Sequence, residues 1–166
     1  WAGGKRWGDR LGEEAAAWYA QAGQANLTPG TYLSAAEAGD PVAQVMLAYV
    51  LAVERLNATG SPPDVDAALK WMGRSADQGH LPGITGVGAL YWMQEEYERA
   101  IPYYQKAADM GDRAGQVSLA YAYMSGKGVA RSDTSALRYF VPAADGGNTF
   151  AQKMIGNLFY RGIDGA

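Results

Sequence analysis

Thr31-Tyr-Leu-Ser-Ala-Ala-Glu-Ala-Gly39, Trp71-Met-Gly-Arg-Ser-Ala-Asp-Gln-Gly79, Tyr103-Tyr-Gln-Lys-Ala-Ala-Asp-Met-Gly111 and Tyr139-Phe-Val-Pro-Ala-Ala-Asp-Gly-Gly147 are four copies of one pattern. An aromatic pair, a small pair and an acid recur at fixed offsets before a closing Gly, with Thr31, Met72 and Ser75 as departures. The closing glycines stand 40, 32 and 36 residues apart. That is the range of solenoid units built from two helices.

Counted forward from each closing Gly, a second pattern follows. Position +5 holds Gln44, Ile84, Gln116 and Gln152, and position +8 holds Leu47, Val87, Leu119 and Ile155. Position +9 is small in every copy (Ala48, Gly88, Ala120, Gly156), and +12 is large (Leu51, Tyr91, Tyr123, Phe159). Offsets of 5, 8, 9 and 12 lie on one face of an α-helix, because 3.6 residues per turn brings i, i+3, i+4 and i+7 together. This is the first helix of each unit. The second carries Ala68-Leu69, Ala100-Ile101 and Ala136-Leu137 ahead of the aromatic pair. Asp64 or Asp66, and Ser132 or Asp133, are residue types that cap helix N-termini. Each closing Gly takes the left-handed position that ends a helix. Pro142 falls inside the last second helix, where a kink is expected. We therefore expect an all-α fold, an α/α superhelical solenoid.

Composition narrows the function. Hydrophobic residues make up 48% of the 166-residue chain and charged residues 19%, which is ample for a buried core. A net charge of −3 without a basic cluster argues against a nucleic-acid or anionic-membrane surface. No apolar run approaches the roughly 20 residues of a membrane-spanning helix, so direct membrane insertion is not expected. The absence of cysteine removes disulfides, thiolate zinc sites and thiol nucleophiles. The chain opens on Trp1 rather than Met and stops at Ala166 after a first helix with no second. This raises the expectation of a fragment, with further repeats of a longer chain as neighbours, or of a terminus that a partner covers.

The columns resemble the Sel1-like repeat, a relative of the tetratricopeptide repeat. Residues 114–147 carry the resemblance most fully, with Leu119-Ala120, Tyr123, Gly126-x-Gly128-Val129, Asp133, Ala136-Leu137, Tyr139-Phe140, Ala143-Ala144 and Gly147. The last, partial unit matches through Gly156, Phe159 and Gly162 but has Ile163-Asp164 in place of Gly-Val. The first two units lack the Gly-x-Gly-Val loop. The solenoid is expected over 31–166, behind a divergent helical segment at 1–30 that includes Trp18-Tyr19. The resemblance implies antiparallel helix pairs stacked so that the first helices line a concave face, and a non-catalytic scaffold for protein contacts. It also implies a frequent envelope or periplasmic setting in bacteria.

One feature belongs to this sequence rather than the family. The stretches 41–53, 81–94 and 114–126 contain no charged residue, and 149–160 contains only Lys153. Their remaining face, at +3, +7, +10 and +14, is rich in Tyr and Met, with Trp92 beside it. We expect a protein or peptide to bind there, through Met46, Tyr49, Trp92, Tyr121 and Asn157. Three such aromatic or Met anchors would contribute on the order of 5 kcal/mol before ordering costs. Other readings of the same features are an immunity or inhibitor protein that neutralises a toxin or enzyme, and a cell-wall carbohydrate-binding module, since aromatic rings also stack on sugars.

Catalytic patterns are thin. His80 is the one histidine in the chain and shares a turn column with Asp40, Asp112 and Asn148, which makes it a structural residue. Glu13-Glu14 and Glu95-Glu96 are neighbours that point about 100° apart on a helix, so they suit a helix N-terminus better than acid/base chemistry. Gly126-Lys127-Gly128 lacks the strand and Lys-Ser/Thr ending of a phosphate loop. No metal, cofactor or catalytic residue is implied.

Overall fold

A computed structural model of the chain describes residues 29–52 and 63–163. Residues 53–62 and residues 1–28, with Trp18-Tyr19 and Glu13-Glu14, lie outside those residues. The described residues form helices and no strands: α1 (Pro29–Glu37), α2 (Pro41–Ala52), α3 (Val65–Asp77), α4 (Leu81–Met93), α5 (Tyr97–Asp109), α6 (Arg113–Ser125), α7 (Asp133–Asp145) and α8 (Thr149–Arg161). They belong to two compact units, one ending at Gln94 and the other beginning at Glu95. In the first, α1 packs on α2, α2 on α3, and α3 on α4. In the second, the same succession runs from α5 to α8. The expected all-α repeat architecture is the one observed.

Every closing glycine builds the same turn. Its φ lies between 75° and 100° at Gly39, Gly79, Gly111 and Gly147. In each case the Gly N–H donates to the carbonyl three residues back, and the next N–H donates to the carbonyl five residues back. For Gly147 these bonds run to Ala144 at 2.9 Å and from Asn148 to Ala143 at 3.0 Å. This paired closure satisfies the last carbonyls of one helix. In three of the four turns the side chain after the glycine then caps the next helix. Asp40 accepts from the Val42 N–H at 2.8 Å, Asp112 from Gly115 at 2.7 Å and Asn148 from Ala151 at 2.8 Å. One residue thus ends a helix and begins another.

Asp64 and Ser132 are the caps of α3 and α7, accepting from Ala67 and Ser135. Asp66 sits in the first turn of α3. Asp133 has a different environment. It is fully buried at the start of α7, hydrogen-bonded and ion-paired with Arg161 of α8 and 3.5 Å from Arg131. The α7 helix runs unbroken through Pro142 from Asp133 to Asp145.

The column at +4 is small in every copy. Ala43, Gly83, Gly115 and Ala151 are all buried. A Cβ on Gly83 would come within 2.7 Å of the Ala76 nitrogen and the Ser75 hydroxyl, and one on Gly115 within 2.6 Å of the Ala107 methyl. Two of the three +5 glutamines reach back over the turn. Gln44 Nε2 donates to the Ala36 carbonyl at 3.1 Å, and Gln152 Nε2 to that of Ala144 at 3.2 Å.

Loops differ in how they leave the first helix. After α6, Gly126 is left-handed at φ 68°, and Gly128 at φ 73° presses on the start of α5. A Cβ on Gly128 would stand 2.7 Å from the Tyr97 carbonyl. Lys127 closes the same contact, its Nζ 3.2 Å from the Tyr97 hydroxyl and 4.7 Å above the ring. Glu95 turns the chain at φ 63° without a glycine, and Glu96 pairs with Arg99 at 2.7 Å.

Candidate functional site

The first helices α2, α4, α6 and α8 carry the surface under consideration, and their columns divide into two kinds. The +7 column turns inward toward the aromatic pair. Met46 clusters with Val50, with Tyr32 and Tyr49 packed against them. Gly86 leaves room for the Met72 thioether, which a Cβ there would approach to 2.5 Å. Ser118 faces the Tyr104 hydroxyl, whose ionisation burial pushes far above the ordinary phenol range while the serine hydroxyl pulls the other way. Tyr32, Met72 and Tyr104 each stand seven residues before a closing Gly. The +7 positions therefore fill the space between paired helices.

This changes the expected wall. Met46 is 4% exposed and belongs to the core. Trp92 is also inside, at 7% exposure. Tyr49 is half-buried beside the Met46 cluster. In the second unit, Tyr121 is half-buried on α6 and Asn157 is exposed on α8. The Tyr121 ring lies 6.4 Å from the Phe150 ring, tilted by 47°. Phe150 and Asn157 are seven residues apart, two turns along one face of α8. Tyr121, Phe150 and Asn157 thus belong to adjoining first-helix faces. Phe150 stands in the +3 column and was not among the expected contacts. Its aromatic character at a position where the other copies hold Val42, Pro82 and Ala114 was the available signal.

The electrostatics of these faces is sparse. Neither α2 nor α4 carries a charge, α6 has only Arg113 at its first position, and α8 has Lys153 and Arg161. A face built from phenol, phenyl and amide groups recognises apolar side chains and backbone amides rather than a charged ligand.

An acid, an imidazole and a hydroxyl do come together in the first unit. The Ser75 Oγ lies 2.9 Å from His80 Nδ1, and the charge of Asp40 acts on the same ring. The Ser75 hydroxyl donates its proton to the Pro41 carbonyl at 2.8 Å. Nδ1 must therefore carry a hydrogen and donate to Oγ. General-base activation needs the opposite polarity, with the imidazole accepting the hydroxyl proton. Ser75 is also fully buried. The trio is a structural joint. Among the described residues no group of three His, Cys, Asp or Glu side chains is placed to hold a metal ion.

The sequence profile of the Sel1 repeat matches residues 4–27, 41–80, 88–112 and 113–148. The chain belongs to the Sel1 repeat family. The first matched segment precedes the four copies quoted above. Relatives include an F-box protein of Arabidopsis thaliana, 26% identical over 103 residues, and a putative Sel1-like repeat-containing protein of Acanthamoeba polyphaga mimivirus, 27% identical over 103 residues. Each alignment covers 62% of this chain but only 29% and 19% of those proteins, so the chain spans under a third of their length. Among solved structures, a protective antigen of uropathogenic Escherichia coli strains with an SLR fold superposes with a TM-score of 0.72 at 30% identity. That match covers 81% of this chain and 29% of the antigen. A Sel1 repeat protein from Oxalobacter formigenes gives 0.66 at 26% identity, covering 79% and 52%. Cysteine-rich protein B of Helicobacter pylori shares the fold, with a TM-score of 0.54 at 19% identity, covering 75% and 90%. Sel1 repeats generally serve as non-catalytic scaffolds for protein interaction.

Proposed function

We propose that this Sel1 repeat chain holds a protein or peptide partner on the first-helix faces of its second unit, through Tyr121, Phe150 and Asn157. The observation that carries this reading is the half-buried Tyr121–Phe150 pair with exposed Asn157 two turns along α8, on helices almost without charge. Aromatic rings already held by neighbours lose little side-chain entropy on binding, and an amide beside them fixes the register of a peptide backbone.

Affinity capture from a lysate of the source organism tests it, comparing the parent with Tyr121→Ala and Asn157→Ala variants. A protein retained by the parent and lost by both variants is the expected result, with each substitution weakening the purified complex by ~1–2 kcal/mol or more. Equal retention by parent and variants would remove this surface from the function.

A further inference from the structure

Charge in the second unit is sorted by element. Residues 113–132 and 146–163, which hold α6, the loop after it and α8, contain Arg113, Lys127, Arg131, Lys153 and Arg161 and no acidic residue. Two of these cations meet at one carboxylate. Asp133, its side chain 1% exposed, holds Arg161 on Oδ1 and has the Arg131 guanidinium 3.5 Å from Oδ2. Among the described residues no other acid lies within 4.0 Å of either guanidinium. Arg161 stands in the +14 column, where the other copies hold Val53, Met93 and Ser125, so the stacking of repeats does not call for it.

The backbone sets both arginines in place. A Cβ on left-handed Gly126 would stand 3.2 Å from the Arg131 Cβ, and the Ser132 N–H donates to the Tyr123 carbonyl at 3.0 Å. The loop thus fixes the root of the Arg131 side chain. Arg161 closes α8, one turn beyond Asn157 and three turns beyond Phe150 on the same face. Each guanidinium carries five N–H donors in a rigid fork, and one shared carboxylate can engage only part of them. The side chains stay 56% exposed at Arg131 and 38% at Arg161. Two positive charges on one negative leave a surplus of one, next to a buried group where water screens it less than on an open surface.

On the reading that Tyr121 and Phe150 take an apolar side chain of a bound peptide, we infer that Arg131 and Arg161 together bind the carboxylate of an aspartate or glutamate further along it. Guanidinium forks hold such a group by charge-assisted N–H···O bonds. The surplus of one positive charge matches a carboxylate, whereas a dianionic phosphate would leave the site negative. At 1.5 Å per residue α8 carries Arg161 about 16 Å beyond Phe150, a span that an extended peptide covers in about five residues. The partner segment therefore pairs a large apolar residue with an acid about five residues away. Exposed Lys153, one turn from Phe150, adds attraction for an acidic segment.

The test selects peptides from a random dodecapeptide phage library on the full chain, then measures synthetic copies by fluorescence polarisation. Recovered sequences are expected to share an Asp or Glu at that spacing from a large apolar side chain. Replacing the acid by its amide should weaken binding to the parent at least ~10-fold, and binding to Arg131→Gln by less than ~3-fold. Arg131→Gln leaves Arg161 on Asp133, and circular dichroism checks that it folds. A selection that yields no acid-bearing peptide, or an amide replacement that costs parent and variant alike, would overturn the proposal. Inorganic phosphate that displaces the peptide more strongly than acetate at equal ionic strength would assign the arginines to a phosphoryl group and overturn it as well. Tyr121→Ala separates this site from the aromatic one. Peptides that keep their acid dependence yet bind this variant as tightly as the parent would support the arginine site and remove the aromatic face.

Discussion

Ser75 Oγ and His80 Nδ1 lie 2.9 Å apart, and each is the residue by which its repeat departs from the others. The copies hold Ala35, Ala107 and Ala143 in the column of Ser75, and Asp40, Asp112 and Asn148 in that of His80. These columns are the two ends of the helix-closing turn, where an apolar contact commonly joins the residues. Here a hydrogen bond replaces it. His80 gives up the side-chain cap that Asp or Asn supplies elsewhere and bonds to the hydroxyl instead.

The pair is expected to be coupled energetically. In a double-mutant cycle, Ser75→Ala and His80→Asp together should cost less than the sum of the single changes by about 0.5–1.5 kcal/mol. Urea unfolding of the four proteins measures it, and strict additivity would contradict the coupling.

His80 should make stability pH-dependent. Partial burial lowers its pKa below 6.5, and this outweighs the raising effect of the Asp40 charge. The unfolded chain therefore binds the proton more readily than the folded one. The contribution is complete above about pH 6.5 and is lost as pH falls through the lower, folded value. An NMR titration should place the His80 midpoint below 6.5, and His80→Asn should flatten this part of the stability profile.

Two glycines of one loop should respond differently. Gly128→Ala meets the Tyr97 carbonyl at 2.7 Å in a left-handed backbone and should cost about 3 kcal/mol. Gly126→Ala has its nearest contact at 3.2 Å, on the Arg131 Cβ, and should cost about 1 kcal/mol, mostly from backbone strain. Thermal melts of the two variants rank them.

Within helices the signs should reverse. Gly83→Ala drives a methyl against the Ala76 nitrogen and Ser75, and about 2 kcal/mol of destabilisation is expected. Gly73→Ala, inside α3 with nothing within 4 Å, should stabilise by about 0.5–1 kcal/mol. Chemical denaturation that showed both destabilising would mean the α3 surface is covered.

Removing Arg161 should be costly because it takes a charged partner from a buried carboxylate. Arg161→Ala leaves Asp133 with Arg131 at 3.5 Å, and a loss of about 2–3 kcal/mol is expected. Arg131→Ala keeps the closer partner and should cost under about 1 kcal/mol. Equal losses in calorimetry would show that Asp133 depends on both arginines alike.

The repeat columns were legible because most of them record a contact made again in more than one copy. The closing glycines follow from offsets and residue type, which also narrowed the caps to Asp64 or Asp66 and to Ser132 or Asp133. The inward turn of the +7 column was not legible. A helix covered on two sides is apolar around most of its circumference, so periodicity alone does not say which apolar stripe remains outside. Met46 and Trp92 were read as a wall for that reason. The small +4 column of Ala43, Gly83, Gly115 and Ala151 stood in plain register, yet Ala and Gly are too common to announce a close approach. The Arg161–Asp133 pair joins residues 28 apart, and nothing in a charge pattern selects it.

The glutamine that reaches back over the turn also bears on how the chain folds. Gln44 and Gln152 close their hairpins across only eight residues, and the bonds from Ser75 to Pro41, Gln78 to Gln44 and Tyr139 to Gln105 each span 34. Little loop entropy has to be lost before such contacts form. A nascent chain can therefore lock one hairpin soon after its closing glycine appears and use it as the template for the next, so that order grows along the chain during synthesis.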